Sequence, residues 1–454
     1  MKKITHISMR ATQAAICLLF GLNVPHANAI DLVTAYRQAL QYDPASLADS
    51  EALTAGREKA VQGDALLRPR INLQANLSRI HDHLTSDAPS AVSTLVPTDS
   101  TGTARQMTVQ LVQPLYDMAA RANRQQLREQ TALSQFQFDA SRQDLVLRVA
   151  ENYFGVLVAE EALRVVQAEQ DAFRHQRDRA KARFDIGQGK ITDVQEAQAR
   201  LDGVNARALS VQSALELRQT QFRETIGAQP DQLSRLTSSP PVRPEPENLL
   251  TWQTKAENQS SLVKSRRSER DIAKAEIDKY RLAGRPTVDL VASYGAKAQS
   301  GGLSPLVAPN GERTSIVGLQ FNIPLYAGGG LDSRQRESVA KRYQAEHQLD
   351  AARRDVRIKV QDGFLAVTTG VSRIAALEQA LVSARSALEA TVLGRDVGTR
   401  TQLDVLDAQQ RSFTAELDLV QARADYLLGR LRLAAAAGEL TEDSLRALGA
   451  WLVS

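Results

Sequence analysis

Ile71-Asn72-Leu73-Gln74-Ala75-Asn76-Leu77-Ser78 alternates between apolar and polar side chains, and Gln106-Met107-Thr108-Val109-Gln110-Leu111 does the same. Successive side chains of a β-strand point to opposite faces, so each stretch presents one apolar face and one face of amides and hydroxyls. The pattern returns later in the chain. Val288, Leu290, Ala292 and Tyr294 form one face, and Val317, Leu319, Phe321 and Ile323 form another opposite Gly318, Gln320 and Asn322. A single segment of this kind reads as an ordinary half-buried strand. Four of them, in two pairs split by polar loops at 83–104 and 299–312 and each leading into a very long helical tract, read as membrane-barrel strands with lipid outside and water inside.

Proline spacing sets the length of those tracts. None occurs between Pro114 and Pro230, and none after Pro324. Residues 117–184 and 331–395 therefore read as single helices of roughly 100 Å at about 1.5 Å per residue. Each is followed by a second helix, 192–227 and 401–437. There Val194, Leu201, Ala208, Leu215 and Phe222 are seven apart, with Ala197, Val204 and Val211 between; the later helix has Val405, Ser412, Leu419, Tyr426 and Leu433 with Ala408, Ala415 and Ala422. This is a coiled-coil seam with small residues that let helices approach closely.

The chain is duplicated. Val112-Gln113-Pro114-Leu115-Tyr116 precedes the first long tract as Asn322-Ile323-Pro324-Leu325-Tyr326 precedes the second, and Ile191-Thr192-Asp193-Val194 recurs as Gln402-Leu403-Asp404-Val405. The first repeat spans 30–235, with strands at 69–82 and 105–116. A proline-rich linker at 236–247 separates it from the second repeat, 248–438, with strands at 286–298 and 313–326, and 439–454 form a C-terminal segment. Four strands cannot close a barrel, which takes at least about eight, so several chains must contribute to one.

The remaining features bound the class. Lys2, Lys3 and Arg10, an apolar stretch from Ala11 to Leu22 and Ala27-Asn28-Ala29 have the order of an export signal cleaved after Ala29, making 1–29 the leader. Cys17, the only cysteine, lies inside that stretch, so no disulfide or thiol chemistry is expected of the mature chain. Cleavage before Cys17 with lipidation is the alternative, but it leaves an apolar core shorter than a signal needs. After residue 30 no consecutive apolar run suits a transmembrane helix, so a membrane-spanning form must be a closed barrel. The net charge of +4 is mixed in sign along the helices, with no basic-aromatic patch for nucleic acid.

Val397-Gly398-Thr399-Arg400-Thr401-Gln402-Leu403-Asp404-Val405-Leu406-Asp407-Ala408 resembles the periplasmic mouth of the TolC family of trimeric outer-membrane exit ducts, and Phe184 with Ile186-Gly187 and Ile191-Thr192-Asp193-Val194-Gln195 resembles the corresponding turn of the first copy. The likeness runs from Asp31-Leu32 to Gly438-Glu439-Leu440-Thr441. It implies an α+β membrane protein: a homotrimer with a twelve-stranded β-barrel, four strands per chain, continuous with a coiled-coil α-helical periplasmic tunnel. It implies no cofactor and places the chain in the outer membrane of a Gram-negative bacterium, among outer-membrane lipid. Its implied partners are a periplasmic adaptor (membrane fusion) protein and an inner-membrane ABC, RND or MFS transporter, for drug efflux or type I secretion.

By the same resemblance Asp404 and Asp407 match the aspartates ringing the gate, three apart on one helical face. Six such carboxylates around one axis would repel and favour bound cations, although no structural metal is expected. Arg400 and Asp193 match members of polar links that hold the tip shut. Arg395 stands where the family has a tyrosine and offers a charged link to Asp193. Thr401 with Asp404, and Thr192 with Gln195, also have the spacing of helix-capping boxes, a role compatible with either assignment.

Other readings are a lipid-anchored efflux duct, a barrel-less periplasmic scaffold and an enzyme. For an enzyme the sequence offers little: the histidines are scattered, His81-Asp82-His83 lacks a third ligand, and Gly328-Gly329-Gly330 lacks the spacing of a nucleotide-binding loop.

Overall fold

The computed structural model describes residues 30–83, 85, 99–228, 233–236, 241–302 and 311–453. The expected leader at 1–29, with Cys17, lies outside them. In the first repeat the elements are α1 (Leu32–Tyr42), α2 (Pro44–Ala65), β1 (Arg70–His83), β2 (Asp99–Tyr116), α3 (Met118–Asp185), α4 (Ile191–Ile226) and β3 (Arg235–Leu236). The second contains α5 (Leu249–Gln259), α6 (Ser261–Leu282), β4 (Thr287–Gly301), β5 (Gly311–Asn322), α7 (Gly330–Asp396) and α8 (Gln402–Ala437). The chain closes with α9 (Glu442–Ala447) and β6 (Leu452–Val453), which pairs with β3.

The four long strands make one antiparallel sheet in the order β1-β2-β4-β5, so the two repeats meet where β2 pairs with β4. The register carries apolar rows across all four strands. Ile71 lies opposite Leu111, Leu111 opposite Ala292, and Ala292 opposite Val317. One step along come Leu73, Val109 and Tyr294, while the other face carries Gln74, Thr108, Gly295 and Thr314. Among the described residues nothing covers the apolar face: Ile71 is 68% exposed, Leu77 72%, Val317 76% and Phe321 67%. A contiguous face of that size needs a partner, and for a regular alternating sheet hydrocarbon is the one that fits. β1 and β5 each pair on one side only, leaving two open edges.

Several boundaries differ from the sequence reading. β2 begins at Asp99 and β4 ends at Gly301, so the ladder continues to Gly102 opposite Gly301 through threonines, serines and glycines that carry no apolar marker. β5 stops at Asn322, which removes Ile323 from the strand face; Pro324 has no N–H to continue a ladder. In copy one, by contrast, the strand passes Pro114 with a bulge before Tyr116. Helices α1, α2, α5, α6 and α9 were not anticipated. α2 buries only Leu53, Gly56 and Gly63, and the buried positions of α6 are Ser261, Val263, Ser265, Ser268, Ala273 and Ala275, so neither displays an apolar stripe.

These short helices complete the wall beneath the sheet. Near the sheet the order across the wall is α2, α3, α6, α7; farther away, α4, α3, α8, α7. Asp117 starts α3 by accepting from Ala120 N at 2.8 Å, and Arg124 of α3 pairs with Asp64 of α2 at 2.6 Å. Midway along the wall the core thickens around Tyr153, Phe154, Phe222, Tyr426 and Trp451, with α1 and the β3/β6 pair packed against it. The Tyr153 hydroxyl donates to Ile30 O at 3.0 Å and accepts from Ser234 N at 3.1 Å, and its burial pushes the phenol pKa up to about 12. Asp43 accepts from Ser46 N at 2.9 Å to cap α2 and holds Arg148 at 2.9 Å; burial works against its charge, but the Arg148 and Ser46 bonds keep the carboxyl below its ordinary value.

α7 and α8 approach each other at glycines. A Cβ on Gly363 would lie 3.0 Å from Leu433 Cα, one on Gly370 3.2 Å from the Tyr426 ring, and one on Gly429 3.3 Å from Ala366. Gly363→Leu should therefore wedge the helices apart, costing ~1–3 kcal/mol and lowering the thermal midpoint followed by helical circular dichroism. Gly203→Ala, which meets nothing within 4 Å in the protomer, should hold or raise that midpoint. Equal midpoints for Gly363→Leu and the parent would contradict this packing.

Candidate functional site

At the end of the wall far from the sheet, α3 turns into α4 through 186–190 and α7 into α8 through 397–401. The two turns are copies. In the first, Gly187 N donates to Phe184 O at 2.9 Å and Gln188 N to Arg183 O at 2.8 Å; in the second, Gly398 N donates to Arg395 O at 3.0 Å and Thr399 N to Gly394 O at 2.8 Å. Gly187 and Gly398 take φ values of 77° and 82°, the left-handed conformation this helix ending requires. Phe184 thus corresponds to Arg395, and Asp193 to Asp404.

The copies diverge at the start of the returning helix. Thr401 caps α8 with a complete capping box: Asp404 N donates to Thr401 Oγ1 at 3.1 Å, and Asp404 Oδ2 accepts from Thr401 N at 2.8 Å. These bonds, first the backbone one, hold the Asp404 carboxyl below its ordinary value, with Arg400 adding its charge. The equivalent of Thr401 in copy one is Lys190, which has no acceptor, so α4 starts at Ile191 without a side-chain cap. The expected Thr192–Gln195 box does not form, because Thr192 already lies inside the helix.

The predicted tip residues fall into three settings. Asp404 is engaged in the cap. Asp407, one turn on, forms an ion pair with Arg200 of α4 at 2.7 Å, and Arg200 also reaches Gln410 at 3.4 Å. Asp193 and Arg395 share a cleft of about 460 Å³ between the two turns, lined also by Arg179, Arg183, Gln188, Asp396 and Gln402. They do not bond to each other in the protomer: the Arg395 side chain, 11% exposed, donates to Asp396 Oδ1 at 2.7 and 3.1 Å. Its adjacent carboxylate is in easier reach than one across the cleft. Arg400 meets the preceding helix, its N donating to Gly394 O at 3.2 Å.

Residues outside the sequence reading complete the site. Arg200 ties α4 to α8, Gln402 donates to Gln176 of α3 at 2.7 Å, and Arg207 of α4 pairs with Glu169 of α3, which is 1% exposed. Asp193, Arg200 and Arg207 lie seven apart in the sequence. That charged line beside the apolar seam is the signal that would have found them. Val166, Phe173, Leu201, Val204 and Leu406 pack just behind, joining α8 to the α3/α4 pair. Among the described residues no group of three His, Cys, Asp or Glu side chains is placed to hold a metal; His83 pairs with Asp99 at 2.6 Å at the opposite end of the molecule. The tip is therefore a set of polar links between helices, suited to holding them together and releasing them.

Comparison with known proteins bears on the family and the fold. A family model described as outer membrane efflux protein matches residues 35–228 and 252–439. Outer membrane protein TolC of Vibrio cholerae is 31% identical over 93% of this chain and 94% of its own length, and the alkaline protease secretion protein AprF of Pseudomonas aeruginosa is 29% identical over 94% and 88%. The crystal structure of the CmeC outer membrane channel of Campylobacter jejuni superposes with a TM-score of 0.76 over 92% of this chain and 88% of that one, at 15% identity, which speaks to the fold alone.

Thr401→Ala removes the box and should cost ~0.5–2 kcal/mol locally, read as faster amide exchange at 402–408. Because the Asp404 pKa is lowered, its contribution is fully present above the ordinary value of 3.8 and is lost as pH falls through the lowered one. Exchange at these amides, corrected for the intrinsic rate, should stay flat from neutral pH to about pH 4 and rise only below it. A rise beginning near pH 6 would contradict the assignment.

Proposed function

Since the chain belongs to the outer membrane efflux protein family, and is therefore an outer-membrane channel and no enzyme, we propose that three copies close one twelve-stranded barrel over one helical tube, gated at the tip described above. The observation that carries this reading is the sheet with an uncovered apolar face and two open edges. Joining β1 of one copy to β5 of the next satisfies both edges, and three copies exceed the minimum of about eight strands. The helices also call for neighbouring copies. One 18-residue stretch of α7 is apolar, with at most two charged residues, while only 11% of it is buried in the protomer, a face that a neighbouring copy would cover.

In this assembly the tube is a passive exit duct, recruited by a periplasmic adaptor and an ABC, RND or MFS transporter of the inner membrane. Efflux is favoured by the family and protein secretion by the likeness to AprF; one duct can serve both, because cargo is selected upstream. At the tip Asp404 and Asp407 from three copies bring six carboxylates toward one axis and favour cations. We place the locking links at Arg200–Asp407, at Asp193 and Arg395, which share the tip cleft, and at Arg400 beside the same turn; in the assembly these would hold the inner helices to the outer ones. Opening then requires exchanging these links for water, a small cost for partly exposed pairs and so one that an adaptor can meet.

In planar bilayers the protein should form cation-preferring pores. Asp404→Ala/Asp407→Ala should reduce that preference and abolish block by divalent cations from the tip side. Arg200→Ala, which frees Asp407 and loosens α4 from α8, should raise single-pore conductance severalfold. Pores whose selectivity and conductance are indifferent to all three substitutions would remove the gate from this site; failure to form pores would remove the duct.

A further inference from the structure

The register places three arginines on the apolar face of the sheet. Arg105 lies between Leu77 and Ala298, Arg313 lies opposite Ala296 in the row of Ala75 and Met107, and Arg79 is two residues beyond Leu77 on β1. All three are exposed, and none has an ion-pair partner among the described residues. On this face the strands carry no carboxylate except Asp99 at the far end, which His83 holds at 2.6 Å. Asp289 and Glu312 stand on the opposite face, opposite Gln320 and Lys297. The lipid-facing side of each protomer thus carries three unbalanced cations.

Their height identifies what they meet. From Val288, opposite Phe321, to Ala298, beside Arg105, is ten residues, roughly 34 Å along the strand and about 26 Å of height at barrel tilt. An outer-membrane apolar band is about 25 Å tall, so the arginines stand where the band ends; an arginine costs ~2–4 kcal/mol at its midplane and little at its edge. The other end of the sheet leads into helices of about 100 Å that cannot lie in lipid, so this edge is the outer one. Between Arg105 and Arg313, which lie roughly 12 Å apart by strand spacing and register, this face carries only Ala296, Ala298 and Gly311, whose small size leaves a depression; the cleft around them is lined also by Asn76, Gln106, Lys297 and Glu312 of the other face. Guanidinium groups around such a depression match phosphate oxygens in bidentate geometry.

Resting on the barrel reading above, we infer that Arg79, Arg105 and Arg313 bind the phosphate-bearing headgroup of an outer-leaflet lipid, tying each protomer to the leaflet. The test titrates the detergent-solubilised protein by native mass spectrometry with a bisphosphorylated acylated disaccharide lipid, with that lipid after phosphate removal, and with inorganic phosphate. The parent should retain the phosphorylated lipid and bind the dephosphorylated form far more weakly, and inorganic phosphate should not compete. R79Q/R105Q/R313Q should bind the phosphorylated lipid about a hundredfold more weakly, from roughly fivefold per cation at a charged surface. The triple Arg→Lys variant should stay within about tenfold of the parent, because it keeps the charge and loses only the bidentate fit. Equal binding by the glutamine variant and the parent, equal binding of both lipids, or displacement by inorganic phosphate overturns the inference. Bilayer conductance of the same preparations separates the failures: pores with unchanged lipid binding sink only the lipid site, whereas absence of pores in the parent sinks the barrel and the site together.

Discussion

The structure depends on the backbone groups along the outer edges of β1 and β5. In hydrocarbon no water satisfies an N–H or C=O, and each unpaired group costs on the order of 2 kcal/mol or more. β1 has 14 residues and β5 has 12, and about half of the backbone groups of an edge strand point outward. Even at the low figure the two edges together would exceed the ~5–15 kcal/mol that stabilises a folded domain. A lone chain therefore cannot sit in the membrane as it stands. Association is a condition of the fold, and closure of the barrel then fixes how far apart the long helices hang below it.

That arrangement explains why the two ends of the molecule use different chemistry. The sheet buries its apolar face in lipid and turns Asn72, Gln74, Thr108 and Gln110 to the other side, which suits a wet lumen. Half way down, a true core forms around Tyr153, Phe154, Phe222 and Tyr426, where the short helices and the β3/β6 pair wrap the bundle. At the tip the apolar cluster shrinks to five buried side chains, and the joints become the Arg200–Asp407, Arg207–Glu169 and Gln402–Gln176 links. Hydrophobic seams resist separation throughout their length, whereas partly exposed polar links can be replaced by water. In the proposed duct, the place where the joints are weakest is the place assigned to the gate.

Much of this was legible in the sequence because two periodicities carry it. Period two in Ile71–Ser78 and Val317–Phe321 marked strands, and period seven in Val194–Phe222 and Val405–Leu433 marked the coiled coil. What escaped lacked an apolar marker: α2 and α6 pack through Gly56, Gly63, Ser265 and Ala273, and the upper arms of β2 and β4 are built of threonine, serine and glycine. At the tip, the resemblance pointed to Asp404 and Asp407 but not to Arg200. Thr401 was readable as a cap because its box is local, while Arg200 becomes a partner of Asp407 only once α4 lies against α8. The Arg395–Asp193 link failed as a protomer contact for the converse reason, since Asp396 is nearer in the chain. A resemblance transfers positions; side-chain partners depend on packing that one sequence does not encode locally.

The most direct measurement of the central claim exploits the single cysteine of the chain, Cys17, whose replacement by serine gives a cysteine-free background. Leu73→Cys on β1 would be combined in turn with Ser315→Cys, Val317→Cys and Leu319→Cys on β5, all on the lipid-facing side, and oxidised in membranes before denaturing electrophoresis. If β1 of one copy pairs with β5 of the next around a closed barrel of three, one of these pairs locks the protein into a covalent trimer and nothing larger. Covalent dimers as the end product, ladders beyond three, or monomers from every pair would contradict the account.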